Sequence, residues 1–226
     1  MSQRESFLAR VRQAVEQGCQ YRVHLKPVPE GIGYLGADGD VCARFAAEVN
    51  AVGGQALIVN SLEKAAQQLR LLLTEAAARS AVCWQHDVLK RLRLSELLAE
   101  QNVRCIDYDQ LTQLPPNQQR QRCLDCDVGI TSCDWAIAET GTLVMRSLPG
   151  QERLASLIAP RHIAIVERTQ IVPDLIDATN NLAAAGPDDM PSNVTLITGP
   201  SKTGDIELQL TTGVHGPGKW HVIVVQ

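Results

Sequence analysis

No apolar run in the chain approaches the roughly 20 residues that a membrane-crossing helix needs, so no such helix is expected. The stretch from Met1 to Gly18 is charged and lacks the continuous apolar core of a secretory signal. The cytoplasm is therefore the expected compartment. Basic residues are not in excess: 21 Lys and Arg face 25 Asp and Glu, a formal net charge of −4 with the signs interspersed. No basic face is visible, and nucleic acid is not an expected partner. The seven cysteines are an odd number with no secretory signal, which argues against a disulfide framework. The four-Cys spacing of a ferredoxin-type iron–sulfur site is missing. So are a Walker A loop and a dinucleotide fingerprint. There is no internal repeat, no low-complexity segment, and no Ser-His-Asp or Cys-His pattern.

What remains is an ordinary globular composition. At 226 residues and 45% hydrophobic content, the chain suits one α/β domain with an N-terminal extension. Phe7, Leu8, Val11 and Val15 recur at helical spacing within residues 6–17, and Gly18 can end that helix. Residues 21–40 are rich in Pro and Gly and read as irregular. A second helix spans residues 41–52 and is closed by Gly53-Gly54. Residues 1–54 thus form a helical extension packed on a domain of residues 55–226.

From residue 55 the period changes. Short apolar runs at 55–59, 81–84 and 103–106 alternate with helical stretches at 62–78 and 88–100. Ser61 is placed to cap the first of these helices, with Lys64 where a full capping box would carry Glu. Continuous apolar strands in a β-α-β-α-β order predict a buried parallel sheet with helices on both faces. Pro115-Pro116-Asn117 reads as a connection within the domain. Residues 124–130 and 135–138 are β-type runs. Glu139-Thr140-Gly141-Thr142 makes a tight turn into an antiparallel strand at 143–145, so the sheet is mixed. Strands follow at 161–167, 194–198 and 221–225, and a helix at 173–182. The fold class is α/β, with a mixed, mostly parallel sheet that includes residues 194–198.

The candidate site lies near the end of the chain. After the run at 194–198 comes the loop Gly199-Pro200-Ser201-Lys202-Thr203-Gly204, then Asp205. A strand, a Gly/Ser/Thr loop and a helical turn would place free N–H groups and a positive dipole end beside Lys202, which suits an anion. The competing reading is a plain strand-to-helix turn, with Ser201 or Thr203 as cap and Asp205 complementing the dipole. A second loop, Gly213-Val214-His215-Gly216-Pro217-Gly218, carries a histidine, the side chain suited to proton exchange near neutral pH. Glu139, at the end of an apolar strand, is a candidate base or nucleophile, or else a carboxylate that fixes its own loop. His162 reads as structural; His24, His86 and His221 have no supporting context. Cys123, Cys126 and Cys133 make an incomplete ligand set, and the acids at 125 and 127 disfavour thiolates there. A structural role is expected for them, and no metal.

The words TGPSKTGDIE and GVHGP, together with GITSCDWAIAETGTLV and the run from Leu157 to Val166, resemble the LUD domain. More narrowly they resemble the lactate-utilization protein C family. The likeness covers the C-terminal half in its wording and the N-terminal half in layout. It implies a fold related to CoA transferases, ribose-5-phosphate isomerase and the folate cyclo-ligase. It implies a role in oxidising L-lactate to pyruvate beside partner subunits, with the iron–sulfur clusters on those partners and no cofactor on this chain. In CoA transferases a glutamate on a comparable element attacks the thioester, which gives Glu139 a precedent at fold level only. On this reading Glu139 and His215 do chemistry. Gly199, Ser201, Lys202, Thr203, Asp205, Gly141, Thr142 and Gly216 contact a small anionic ligand. Two alternatives stand beside it: an independent enzyme acting on a phosphate- or CoA-bearing substrate, and a non-catalytic scaffold.

Overall fold

The computed structural model describes residues 3–19, 37, 39–106, 108–184, 190–204 and 210–226, with the backbone alone at 19, 108 and 210. Asp205, a nominated ligand contact, lies outside the described residues, as does most of the Pro/Gly-rich stretch at 21–40. The chain divides into two compact units, Met1–Leu35 and Gly36–Gln226. The first contains α1 (Gln3–Cys19), which extends beyond the predicted residues 6–17 at both ends.

The second unit opens with α2 (Val41–Ala51). The Asp40 carboxylate caps it, accepting from the N–H groups of Cys42 at 3.0 Å and Ala43 at 3.3 Å. Cys42, Phe45, Ala46 and Val49 fall at helical spacing and are buried. β1 (Gln55–Val59) follows, then α3 (Leu62–Glu75), whose first turn is capped by the Ser61 hydroxyl as expected. Its buried stripe is Ala65, Leu69 and Leu73. β2 (Ser80–Cys83) leads to α4 (Asp87–Arg91) and α5 (Leu94–Glu100), where one helix was predicted. Arg93 breaks it: the residue sits at φ 59°, in the left-handed region. The turn lets Leu92 and Leu94 both bury.

After β3 (Arg104–Ile106) come α6 (Tyr108–Thr112) and α7 (Pro116–Leu124). Pro116 is therefore not in a connection but opens a helix, where its missing N–H costs nothing. Leu124 ends that helix, so the β-run predicted from 124 shrinks to β4 (Val128–Thr131). β5 (Trp135–Ile137) and β6 (Thr142–Arg146) form the predicted antiparallel hairpin. Next are α8 (Leu154–Leu157), β7 (Arg161–Glu167), β8 (Ile171–Val172) and α9 (Leu175–Ala184), the last starting two residues beyond Pro173. β9 (Val194–Ile197), β10 (Lys202–Gly204), β11 (Leu210–Thr212) and β12 (Lys219–Val225) complete the described elements.

The main sheet has the order β1-β12-β7-β4-β2-β3, and every pair in it is parallel. β2, β4, β7 and β12 are buried over most of their length, as strands covered on both faces are. α2 and α8 lie over the face that carries His162 and Trp220; α3 lies over the face that carries His221. The antiparallel strands form a separate sheet, β8-β5-β6-β9. This corrects the placement of residues 194–198. β9 runs antiparallel to β6, with Leu143 opposite Ile197, and is not in the parallel sheet. Its burial explains why: Leu196 is 51% exposed, so one face meets solvent.

A second correction concerns the loop after Gly199. Among the described residues no helix starts there: Lys202–Gly204 pairs antiparallel with Leu210–Thr212 as a β-ribbon, and residues 205–209 lie outside the described residues.

Candidate functional site

One row of residues across the main sheet builds the site. In register, His162 of β7 stands beside Trp220 of β12 on one side and Gly129 of β4 on the other. Partners in a parallel pair point to the same face, so the imidazole and the indole are neighbours. Glycine flanks them at both ends. A Cβ on Gly54 would lie 2.5 Å from Trp220 Cε3 and 2.8 Å from Val49 Cγ1. A Cβ on Gly129 would lie 1.7 Å from the Ala155 carbonyl oxygen. The first glycine makes room for the indole. The second lets the α8 backbone rest against β4.

The two Gly-rich loops close over this row. The Ser201 N–H donates to the Pro217 carbonyl at 2.8 Å, and the Gly213 N–H donates to the Ser201 carbonyl at 2.9 Å. Gly199, at φ +88°, turns the chain where a Cβ would meet the Val52 carbonyl at 2.9 Å. Between the loops, β9, α8 and the row lies a cavity of about 230 Å³. Its wall runs through Ser156, Leu157, His162, residues 195–199, Ser201, residues 215–217 and Trp220. It lies at the amino ends of β7 and β12, since His162 and Trp220 are the second residues of those strands.

His162 is fully enclosed. Its Nε2 is 2.8 Å from the Thr131 hydroxyl, and burial, reinforced by nearby His221, pushes its pKa down to about 3. The ring is thus neutral at physiological pH, with a single N–H. Its Nδ1 has no hydrogen-bond partner among the described residues, and neither has Trp220 Nε1.

Four of the nominated residues, Gly199, Ser201, His215 and Gly216, line this cavity. Glu139, Gly141, Thr142, Lys202 and Thr203 do not. Lys202 Nζ donates to the Val52 carbonyl at 2.8 Å, so it serves the carboxyl end of α2, where a cation is favourable. Gly141, at φ +63°, packs against α2: a Cβ there would lie 2.5 Å from the Val49 nitrogen. Thr142 reaches the site at one remove, through hydroxyl contacts of 2.7 Å each to Thr140 and Thr198. Glu139 donates its N–H to the Pro173 carbonyl at 3.1 Å, and its Oε2 is buried with no hydrogen-bond partner among the described residues. Among the described residues no group of three or more His, Cys, Asp or Glu side chains is arranged to hold a metal ion.

Trp220 and Ser156 were not singled out in the sequence, and His162 was read as structural. The signal available for Trp220 was its position: an aromatic at the start of an aliphatic strand, one residue beyond a Gly-Pro-Gly loop.

A sequence model of the LUD domain matches residues 42–225. Lactate utilization protein C of Halalkalibacterium halodurans is 32% identical over 167 residues, 73% of this chain and 70% of that one. Its namesakes from Exiguobacterium and Macrococcus caseolyticus are 38% and 44% identical, over 49% and 44% of each chain, so those matches span about half the length of the relatives. The crystal structure of a DUF162 family protein from Deinococcus radiodurans superposes with a TM-score of 0.57 at 23% identity, over 82% of this chain and 96% of that one, and shares the fold. The chain belongs to the LUD domain family, beside the relatives called lactate utilization protein C.

Proposed function

We propose that the chain acts in the cytoplasm as a subunit of a lactate-utilization system, supporting the oxidation of L-lactate to pyruvate together with iron–sulfur partner chains. The observation that carries this reading is the similarity to lactate utilization protein C over 73% of the chain. In the reaction the carbinol loses its C–H and O–H hydrogens and becomes a ketone. Iron–sulfur clusters on partner chains would take up the two electrons, and the two protons would pass to solvent.

The spacing of the thiols supports placing the clusters on other chains: Cys123, Cys126 and Cys133 are one short of the four of a ferredoxin-type set. Burial raises the pKa of the Cys123 and Cys133 thiols and pushes Cys126 up to about 12. The Cys126 Sγ–H donates to the Arg122 carbonyl at 3.2 Å. Within this reading Gly199, Ser201, His215 and Gly216 contact the reactant, and His215 exchanges the proton at the exposed mouth of the cavity. Thr142 steadies the wall through Thr198.

The test is to purify the complex with its partner chains and measure L-lactate-dependent pyruvate formation with and without this chain. Loss of turnover on omission supports the proposal. Equal turnover without it removes the proposed role.

A further inference from the structure

The main sheet ends at β1, which pairs with β12 on one side and with no strand on the other. The Val59 carbonyl accepts from the Gln226 N–H at 2.9 Å, on the β12 side. Backbone groups alternate along a strand, so those of Gln55, Leu57 and Val59 serve β12 and those of Ala56 and Ile58 turn outward. Asn50 Oδ1 takes the Ala56 N–H at 2.9 Å. The Ala56 carbonyl and both backbone groups of Ile58 have no hydrogen-bond partner among the described residues. Such an edge is a template for another strand unless charge or proline blocks it, and β1, Gln-Ala-Leu-Ile-Val, has neither. The surface beside it is apolar as well. Leu57 is 43% exposed, and Leu71 of α3 is 61% exposed. Leu57, Gln68 and Leu72 share a cavity of about 260 Å³, so this side of α3 stands over the open edge. Lys64, Gln68, Leu71 and Glu75 recur along that side at helical spacing. Arg70, on the other side, is paired with Glu100 of α5.

We infer that β1 pairs antiparallel with β1 of a second copy of this chain, about a two-fold axis at Leu57, so that the two main sheets become one. Three features select a second copy as the occupant. The hydrogen bonding is reciprocal: with Leu57 opposite Leu57, each Ile58 N–H meets the Ala56 carbonyl of the other copy, while Asn50 keeps the Ala56 N–H. The apolar groups match, because the two leucines meet on the axis, where facing Cα atoms of a non-hydrogen-bonded pair lie about 4.5 Å apart. The Leu71 side chains approach above them, and burial of both is favourable. The charges are also complementary. The strand carries none, so no like charges oppose one another. The axis sets α3 antiparallel to its copy, which turns the Lys64 end of each helix towards the Glu75 end of the other. Lys64 Nζ donates to Gln67 Oε1 at 3.2 Å and is in no ion pair among the described residues.

The experiment is sedimentation equilibrium of the full chain across the micromolar range, with thermal unfolding as the check on folding. The expected result for wild type is a reversible dimer. Leu57→Lys sets two ammonium groups face to face on the axis and should raise the dimer Kd about 100-fold or more. Leu124→Lys, at a leucine 49% exposed on α7, should leave the dimer unchanged. Leu57→Cys keeps the site neutral and tests the register directly. Facing residues of such a pair lie within disulfide reach, so mild oxidation should join two copies through residue 57, as seen on a non-reducing gel and mapped by mass spectrometry. A wild-type chain that stays monomeric throughout overturns the inference. So does a dimer that a folded Leu57→Lys leaves intact, or a Leu57→Cys protein that does not cross-link through residue 57.

Discussion

Gly129→Ala is the most demanding single change the structure suggests. The added methyl would start 1.7 Å from the Ala155 carbonyl oxygen and 2.9 Å from its carbon. Non-bonded heavy atoms settle at about 3.5–4.0 Å, so α8 must retreat from the sheet by about 1.5 Å or more. Both atoms in the way are backbone, so no side-chain rotation relieves the clash. Overpacking of this kind costs about 1–3 kcal/mol, and a rigid backbone contact belongs at the upper end. For a domain of this size about 3 kcal/mol lowers Tm by about 6–12 °C. The retreat also carries Ser156 and Leu157, which wall the cavity. The assay is thermal and urea unfolding of the variant against wild type. Gly204→Ala is the control: a Cβ there meets nothing within 4 Å, and a change within about 0.5 kcal/mol is expected. A Gly129→Ala protein that melts within about 1 °C of wild type would refute the proposed contact between α8 and β4.

The remaining expectations are simpler to test. His162 has its pKa depressed from 6.5 to about 3, so the unfolded chain binds one more proton than the folded one between those values. Its contribution to stability is therefore complete above pH 6.5 and is lost, at about 1.4 kcal/mol per pH unit, as pH falls towards 3; His162→Gln should flatten the slope of urea-derived stability against pH by that amount. Asp134 accepts from Arg146 Nε at 2.8 Å and from the Arg146 backbone N–H at 2.7 Å, with its side chain only 7% exposed; Asp134→Ala should cost about 3 kcal/mol in urea unfolding. Buried Cys123, Cys126 and Cys133 should resist iodoacetamide in the native protein at pH 8 and react once it is unfolded, as mapped by mass spectrometry. Thr198→Val should break the hydroxyl contact with Thr142 and cost about 1 kcal/mol in thermal unfolding.

The parallel core was legible because its strands announce themselves locally. Residues 56–59, 81–84 and 103–106 are short, mostly apolar runs between amphipathic helices, and of the strands they form, β2 is buried along its whole length. The run at 194–198 has the same composition in a different setting, on a sheet with one face in solvent. Its pairing with β6 depends on residues far away in sequence, and nothing local distinguishes the two cases. The strand at Lys202–Gly204, where a loop was expected, was missed for a related reason. A Gly- and Thr-rich loop suits a helix start and a β-ribbon equally well, and the choice is settled by pairing with residues 210–212. The break at Arg93 was invisible because it is driven by burying Leu92 and Leu94, against the local preference of arginine. Of the candidate site, both glycine loops were picked out in the sequence, and Gly199, Ser201, His215 and Gly216 line one cavity. The His162–Trp220 pair was not read, because it exists only through the register of β7 and β12. Lys202 illustrates the opposite error: a loop lysine reads as an anion ligand until the carboxyl end of α2 is seen beside it.

The central claim is that this chain is needed for L-lactate oxidation by its partners and that its cavity takes part. The most direct measurement is the rate of L-lactate-dependent pyruvate formation by the complex assembled from partner chains with wild-type protein, with Gly216→Val, or with neither. The account predicts full activity with wild type, and a collapse both on omission and with the blocked cavity. Equal rates in all three assemblies would contradict it.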